Sequence, residues 1–275
     1  MLGEEGGHQF VVRVERAGVG QLDGQPGHVP DVVTVLHLTP YMTLFTVGVM
    51  LTDNTYLARR LFVLGEWGAA LDVLGPDGDP ELRAEIAVDG WFFRIEGHEE
   101  AEKAVAALDP TSSTAHLLTA RLAYSRLLFQ RAPRPDDRAV AEANYRAAVE
   151  TGDELQRGWA EYHWAVLLDN IDDDAAGAIP RYEVALEIAT RIGDGLFESY
   201  IIRHLAHLQE PAERIAMLRR SLHLRAALGA RPQTIAAQAV LAEYLPEDDP
   251  ERAELERTFR PGAEELRIGW LVSQD

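Results

Sequence analysis

The chain contains no cysteine. That excludes disulfides, thiolate metal ligation, CxxC redox chemistry and cysteine nucleophiles. Lysine is nearly missing too: Lys103 is the only one, and the other 25 basic residues are arginine. Schiff-base chemistry needs a lysine amine, and Lys103 lies in Glu99-Glu100-Ala101-Glu102-Lys103, which reads as solvated helical ion pairing. Positive charge is scarce as a whole. Against 26 Arg and Lys stand 45 Asp and Glu, a net charge of −19 over 275 residues. Such a chain repels phosphate backbones and anionic headgroups, so nucleic acid and membrane are excluded as expected partners. Long apolar runs are also lacking. The longest, Tyr41 to Leu51, has 11 residues, where a spanning helix needs about 20. The acidic start, Met1-Leu2-Gly3-Glu4-Glu5-Gly6, has no basic or apolar region of the export type. The expected location is cytoplasmic, and the Ala- and Arg-rich composition points to a GC-rich bacterial genome.

Catalytic signatures are missing in turn. There is no Gly-x-Ser-x-Gly elbow, no phosphate loop and no HExxH pair. Asp172 to Glu183 has the outline of a calcium loop, with acids first and third, Gly177 sixth and Glu183 twelfth. Ala176 stands at its fifth position and Pro180 where the loop must fold, so a capped helix start is the better reading. His204, His207 and Glu210 recur every three residues and share a helix face. That spacing suits a metal, yet in an Arg-rich helix it reads better as surface or groove. The expectation is therefore no catalytic residue, no metal and no cofactor.

What the chain does have is a change of pattern near residue 53. Residues 1–53 are Gly-rich and β-prone. Phe10, Val12 and Val14 alternate, Val32 to Leu36 is a second β-branched run, and glycines between them suggest a hairpin. Tyr41 to Leu51 fits a helix capped by Thr39-Pro40 and a strand equally well. From Asn54 onward, helical segments alternate with Gly, Pro and Asp breaks. Segment 54–245 is read as helical repeats. Residues 246–275 are read as C-terminal capping helices, with Arg260-Pro261 stopping the first.

Helix-pair ends fall at Pro76, Pro110, Gly152, Gly193 and Gly229, at spacings of 34, 42, 41 and 36 residues. Periods in that range mark a helical solenoid. Second helices share a small–large–small grammar: Ala141, Tyr145, Ala148; then Ala178, Tyr182, Ala185; then, more loosely, Leu218 and Ser221. Small residues let helices approach, and the large one fills the gap between pairs. Gly65-Glu66-Trp67 looks like a turn within a pair, and Asp109-Pro110 like a repeat end. This grammar resembles the tetratricopeptide repeat family over about residues 54–244, although no Trp-x-x-Leu-Gly signature is intact. The resemblance implies an all-α fold: a right-handed solenoid of helix pairs following an irregular or β-containing segment.

The resemblance also implies a concave groove lined by the first helix of each pair. By register it would present Leu117, Arg121 and Tyr124, then Trp159, Tyr162, Val166 and Asn170, then Tyr200, Arg203 and His207. Large aromatics with a few hydrogen-bonding heads suit a binding surface. The leading expectation is a non-enzymatic protein- or peptide-binding scaffold. One alternative is a ligand-sensing regulator that takes a small peptide or metabolite in the groove. Another is an enzyme with an unrecognised interior site. Residues 54–110 carry 5 basic and 12 acidic side chains, so a protein partner docking there is expected to present a basic face. Its association rate should fall as salt rises from low to physiological ionic strength; a salt-independent on-rate in stopped flow contradicts this.

Overall fold

The computed structural model describes residues 54–272 and, before them, the backbone of two strands. The chain divides at Asn54 into two units. In the first, β1 (Val32–His37) pairs antiparallel with β2 (Phe45–Met50), Val32 opposite Met50 and His37 opposite Phe45. The segment 41–51 thus carries a strand. The alternating run at Phe10 to Val14 lies outside the described residues.

The second unit holds twelve helices. They are α1 (Asn54–Val63), α2 (Trp67–Leu74), α3 (Pro80–Arg94), α4 (His98–Ala106), α5 (Ser113–Phe129) and α6 (Asp137–Thr151), then α7 (Glu154–Asn170), α8 (Ala175–Ile192), α9 (Gly195–Ala206), α10 (Pro211–Ala227), α11 (Arg231–Tyr244) and α12 (Pro250–Leu266). Their starts follow from local chemistry. Asp79, Ser112, Asp174, Asp194 and Asp249 each accept a backbone N–H of the first turn, and Asp153 forms a reciprocal capping box with Gln156. Pro80, Pro211, Pro232 and Pro250 occupy first-turn positions where a missing N–H costs nothing. Asp172 is held by Arg138 at 2.8 Å and Asp174 caps α8, so the residues of the calcium-like sequence are engaged in starting a helix.

From α2 to α12 each helix packs on the next, and α3 with α5, α5 with α7 and α7 with α9 also touch. The small–large–small positions lie at these contacts. Ala141, Tyr145 and Ala148 of α6, and Ala178, Tyr182 and Ala185 of α8, are all buried. One expectation fails at the C-terminus. Pro261 does not end a helix; α12 runs through it to Leu266. Leu255, Phe259, Ala263 and Leu266 form a single buried stripe across the proline. Three large side chains at roughly 1.5–3 kcal/mol each outweigh the cost of about 3 kcal/mol for an interior proline. The second capping helix expected at residues 262–271 is absent. Arg267 turns left-handed instead, and a short tail follows.

That tail joins the two ends of the array. A hydrophobic core gathers Trp67, Leu82, Ile86 and Phe93 from the first helices with Leu218, Leu241, Phe259, Leu266 and Ile268 from the last. Gly269 N–H donates to the Phe93 carbonyl at 2.8 Å, and Arg94 Nε donates to the Leu266 carbonyl at 3.3 Å. Trp270 packs on Phe93 with ring centroids 6.2 Å apart. Gly65 in the α1–α2 turn abuts Pro232 and Leu266 so closely that a Cβ would lie 2.7 Å and 2.9 Å from them. The helical unit is therefore closed on itself. A Cβ at Gly269 would stand 2.6 Å from the Arg94 carbonyl oxygen, a backbone atom that cannot step aside. Gly269→Val is expected to unseat the tail and cost about 1–3 kcal/mol in a urea melt; an unchanged midpoint would mean that the tail is not seated.

Candidate binding cavity

Closure turns the inner side of the helices into the wall of a cavity of about 380 Å³. That volume is in the range of small-molecule sites. Side chains from α3, α5, α7, α9 and α11 all reach it, joined by Arg225 of α10 and Trp270 of the tail. Much of the wall is aromatic. Phe92 meets Phe93 and Phe129 at centroid distances of 5.5 and 5.4 Å. Tyr162 lies edge-on to Tyr200 at 5.8 Å and to His204 at 5.6 Å. The Tyr124 hydroxyl accepts a hydrogen bond from Asn170 Nδ2 at 2.8 Å. Burial pushes the phenols of Tyr124, Tyr162 and Tyr200 up, and neighbouring hydrogen bonds and arginine charges only partly offset it, so all three stay neutral.

Charge in the lining is three arginines and one aspartate. Asp89 is buried on α3, where Trp67 Nε1 donates to it at 3.1 Å and Arg121 at 3.3 Å. Desolvation raises its pKa, and those two partners act the other way. Arg203 donates to His204 Nε2 at 2.6 Å. His204 is accordingly a neutral acceptor on that side, with its Nδ1 3.8 Å from Asp169 and its ring stacked on Tyr182 at 5.5 Å. Arg225 is almost wholly buried, with 1 % of its surface exposed. It donates to Ser199 Oγ at 3.1 Å and to the Gln233 carbonyl at 3.0 Å, and its guanidinium sits 4.7 Å over the Tyr200 ring. Those acceptors are neutral. Arg126, the other deeply buried arginine, shows the contrast, since it is paired with both Asp137 and Glu102.

Of the ten residues placed in the groove by register, seven line the cavity: Arg121, Tyr124, Tyr162, Val166, Asn170, Tyr200 and Arg203. The other three are packed elsewhere. Leu117 lies against the central core. Trp159 stacks on Phe197 at 4.3 Å, and His207 Nδ1 meets the Tyr244 hydroxyl at 2.7 Å. Sequence reasoning missed Asp89 and Phe92 of α3, because its repeat register begins only at α5. It also missed Trp270, hidden behind the expected proline stop, and Arg225, which reaches inward from the second helix of its pair. The spacing His204-x-x-His207-x-x-Glu210 does not gather a metal site: each histidine has its own partner and Glu210 stands at the start of α10. Among the described residues no group of three or more His, Asp or Glu is placed to hold a metal. The Ser125 hydroxyl donates to the Arg121 carbonyl at 2.8 Å, which leaves it outside any nucleophile–base pairing with the histidines.

No protein-family model, curated protein or solved structure matches this chain. The cavity's own chemistry is what speaks for it.

Burial lowers His204 to about 3, the Arg203 charge adding to the effect and Asp169 opposing it. His163, buried near Arg121, moves the same way. Unfolding returns both rings to water, so the unfolded chain takes up protons below pH 6.5 that the folded chain refuses. Stability present above pH 6.5 is therefore lost as the pH falls towards 3, by at most about 1.4 kcal/mol per group per pH unit. Urea melts at pH 7 and pH 5 should differ by about 2–4 kcal/mol, and His204→Gln should remove about 1–2 kcal/mol of that difference. Equal stabilities at the two pH values would contradict the buried neutral histidines.

Proposed function

We propose that this protein is a non-enzymatic binding module that takes a small molecule, or the end of a small peptide, into its interior cavity. In this reading the helical unit is a tetratricopeptide-like right-handed superhelix that works in the cytoplasm and is drawn tight enough for its concave side to form a cavity. The observation that carries the proposal is convergence: five inner helices and the C-terminal tail send side chains into one space. An extended peptide suits a groove open along its length, and the contacts of Gly65, Phe93, Gly269 and Trp270, which bring the two ends of the helical unit together, favour a compact ligand instead. A walled, largely aromatic cavity with a few placed polar groups is instead the usual form of a small-ligand site. Because the walls belong to helices from both ends of the array, an occupant bridges α3 to α11. It thereby stabilises closure, which is how a sensor of this build would report its ligand. No described helix is long and apolar enough to cross a membrane.

Val240 and Leu128 line the cavity without being fully buried, so a larger side chain at either can be housed in the cavity itself. Compounds that raise the melting temperature of the wild-type protein by a few degrees should lose that effect in both Val240→Trp and Leu128→Trp. Ligands whose shifts survive both substitutions bind elsewhere and would sink the proposal. Binding of extended peptides with no response to either variant would favour the scaffold reading.

A further inference from the structure

The balance of charge around the cavity is out of keeping with the rest of the molecule. The chain carries −19 overall, yet the lining has three arginines to one aspartate. Asp89 is already committed to Arg121 and Trp67. Asp169, the other acid near this wall, accepts from the Tyr182 hydroxyl at 3.1 Å and faces His204. Among the described residues neither Arg203 nor Arg225 forms an ion pair; their acceptors are all neutral, namely the His204 imidazole, the Tyr162 and Ser199 hydroxyls and backbone carbonyls. The two guanidinium groups also feel each other's charge. A buried cation without a counter-charge is costly, and a pair of like charges more so. Arg126 shows that this fold supplies carboxylates where a buried arginine is structural. In the same lining, the Trp270 indole N–H is buried and has no acceptor.

We propose that the cavity binds a small organic anion, with its carboxylate or comparable oxyanion on the Arg203 guanidinium and its flat apolar body among Phe92, Phe129 and Trp270. This rests on the cavity being the ligand site. Arg203 is the contact group: it is half-buried, its hydrogen-bond partners His204 and Tyr162 are both neutral, and a five-donor fork keeps further N–H groups for a ligand. Arg225, tethered between α9 and α11 by Ser199 and Gln233, supplies positive potential from behind. The neutral state of His204 matters here, since its Nε2 orients Arg203 without offsetting its charge. An anion entering would gain a charge-assisted hydrogen bond and relieve the repulsion between the two arginines.

The test uses two fluorescent probes with nearly the same aromatic body: 1-anilinonaphthalene-8-sulfonate, which is anionic, and N-phenyl-1-naphthylamine, which is neutral. The full chain should bind one equivalent of the anionic probe at least tenfold more tightly than the neutral one. Arg203→Gln should weaken the anionic probe tenfold or more and leave the neutral probe within twofold; Arg203→Lys, which keeps the charge, should retain the preference for the anion. Equal affinity for the two probes in the unaltered protein, or an anionic affinity unmoved by Arg203→Gln, overturns the inference while leaving a cavity site for neutral ligands. If Arg203→Gln does not fold, the comparison of the two probes on the wild type and on Arg203→Lys still decides the matter. Failure of both probes to bind at one site, or binding unaffected by Val240→Trp, overturns the cavity reading and the anion with it.

Discussion

Gly269 and Phe93 meet through a single backbone hydrogen bond, with the Trp270 ring laid against Phe93 beside it. Most of what distinguishes this molecule depends on that meeting. Helix pairs stacked in sequence bury their own interfaces whether or not the ends touch. What the end contact adds is a wall. With the tail seated, α3 and α11 face a common interior, and aromatic side chains from several helices are brought around one partly open cavity. The glycine makes this possible by having no side chain: any Cβ would collide with the Arg94 carbonyl. Pro261 is accommodated for the same end, since the stripe from Leu255 to Leu266 must run unbroken to deliver the tail to Phe93.

Energetically the interior is arranged in two ways. On the outer side of α5, Arg126 is neutralised by Asp137 and Glu102, a network that ties α4, α5 and α6 together. On the inner side, burial keeps phenols and imidazoles uncharged while the arginines remain cations; even Arg225, lowered by desolvation to about 10, is protonated at neutral pH. The result is a largely aromatic cavity holding fixed positive charge in a chain of strongly negative net charge. Positive potential of this kind is worth far more in the cavity than on the surface, where solvent and salt screen it.

How much of this was legible in the sequence depended on range. Helix breaks were readable because their signals are local: the turns at Gly65, Pro110, Gly152, Gly193 and Gly229 all fall between helices. The burial of Tyr145 and Tyr182 was readable from the spacing of alanines around them. The groove register placed Arg121, Tyr162 and Arg203 on the inner face because a helix repeats every 3.6 residues and one face must serve. Leu117, Trp159 and His207 are engaged elsewhere, Trp159 on Phe197 and His207 on Tyr244, contacts between helices that the period of a single helix does not contain. Closure itself was out of reach. Nothing local to Gly269 or Gly65 announces a partner at Arg94 or Pro232, and proline at 261 carries a strong local signal that tertiary packing overrides. Asp89, Trp270 and Arg225 belong to the cavity only through that long-range geometry.

The bond between Phe93 and Gly269 also spans 176 residues of sequence. Repeat arrays ordinarily fold from nearest-neighbour contacts and can fray from either end independently. Here fraying at one end must also break a contact with the other, so the terminal helices share one opening event. The entropy of closing so long a loop is recovered only once the intervening pairs are in place. A contact of that range is expected to form late, and one absent from the transition state would act on the rate of unfolding while leaving the folding rate almost untouched. In that case a substitution at Gly269 shortens the lifetime of the native state without slowing its formation.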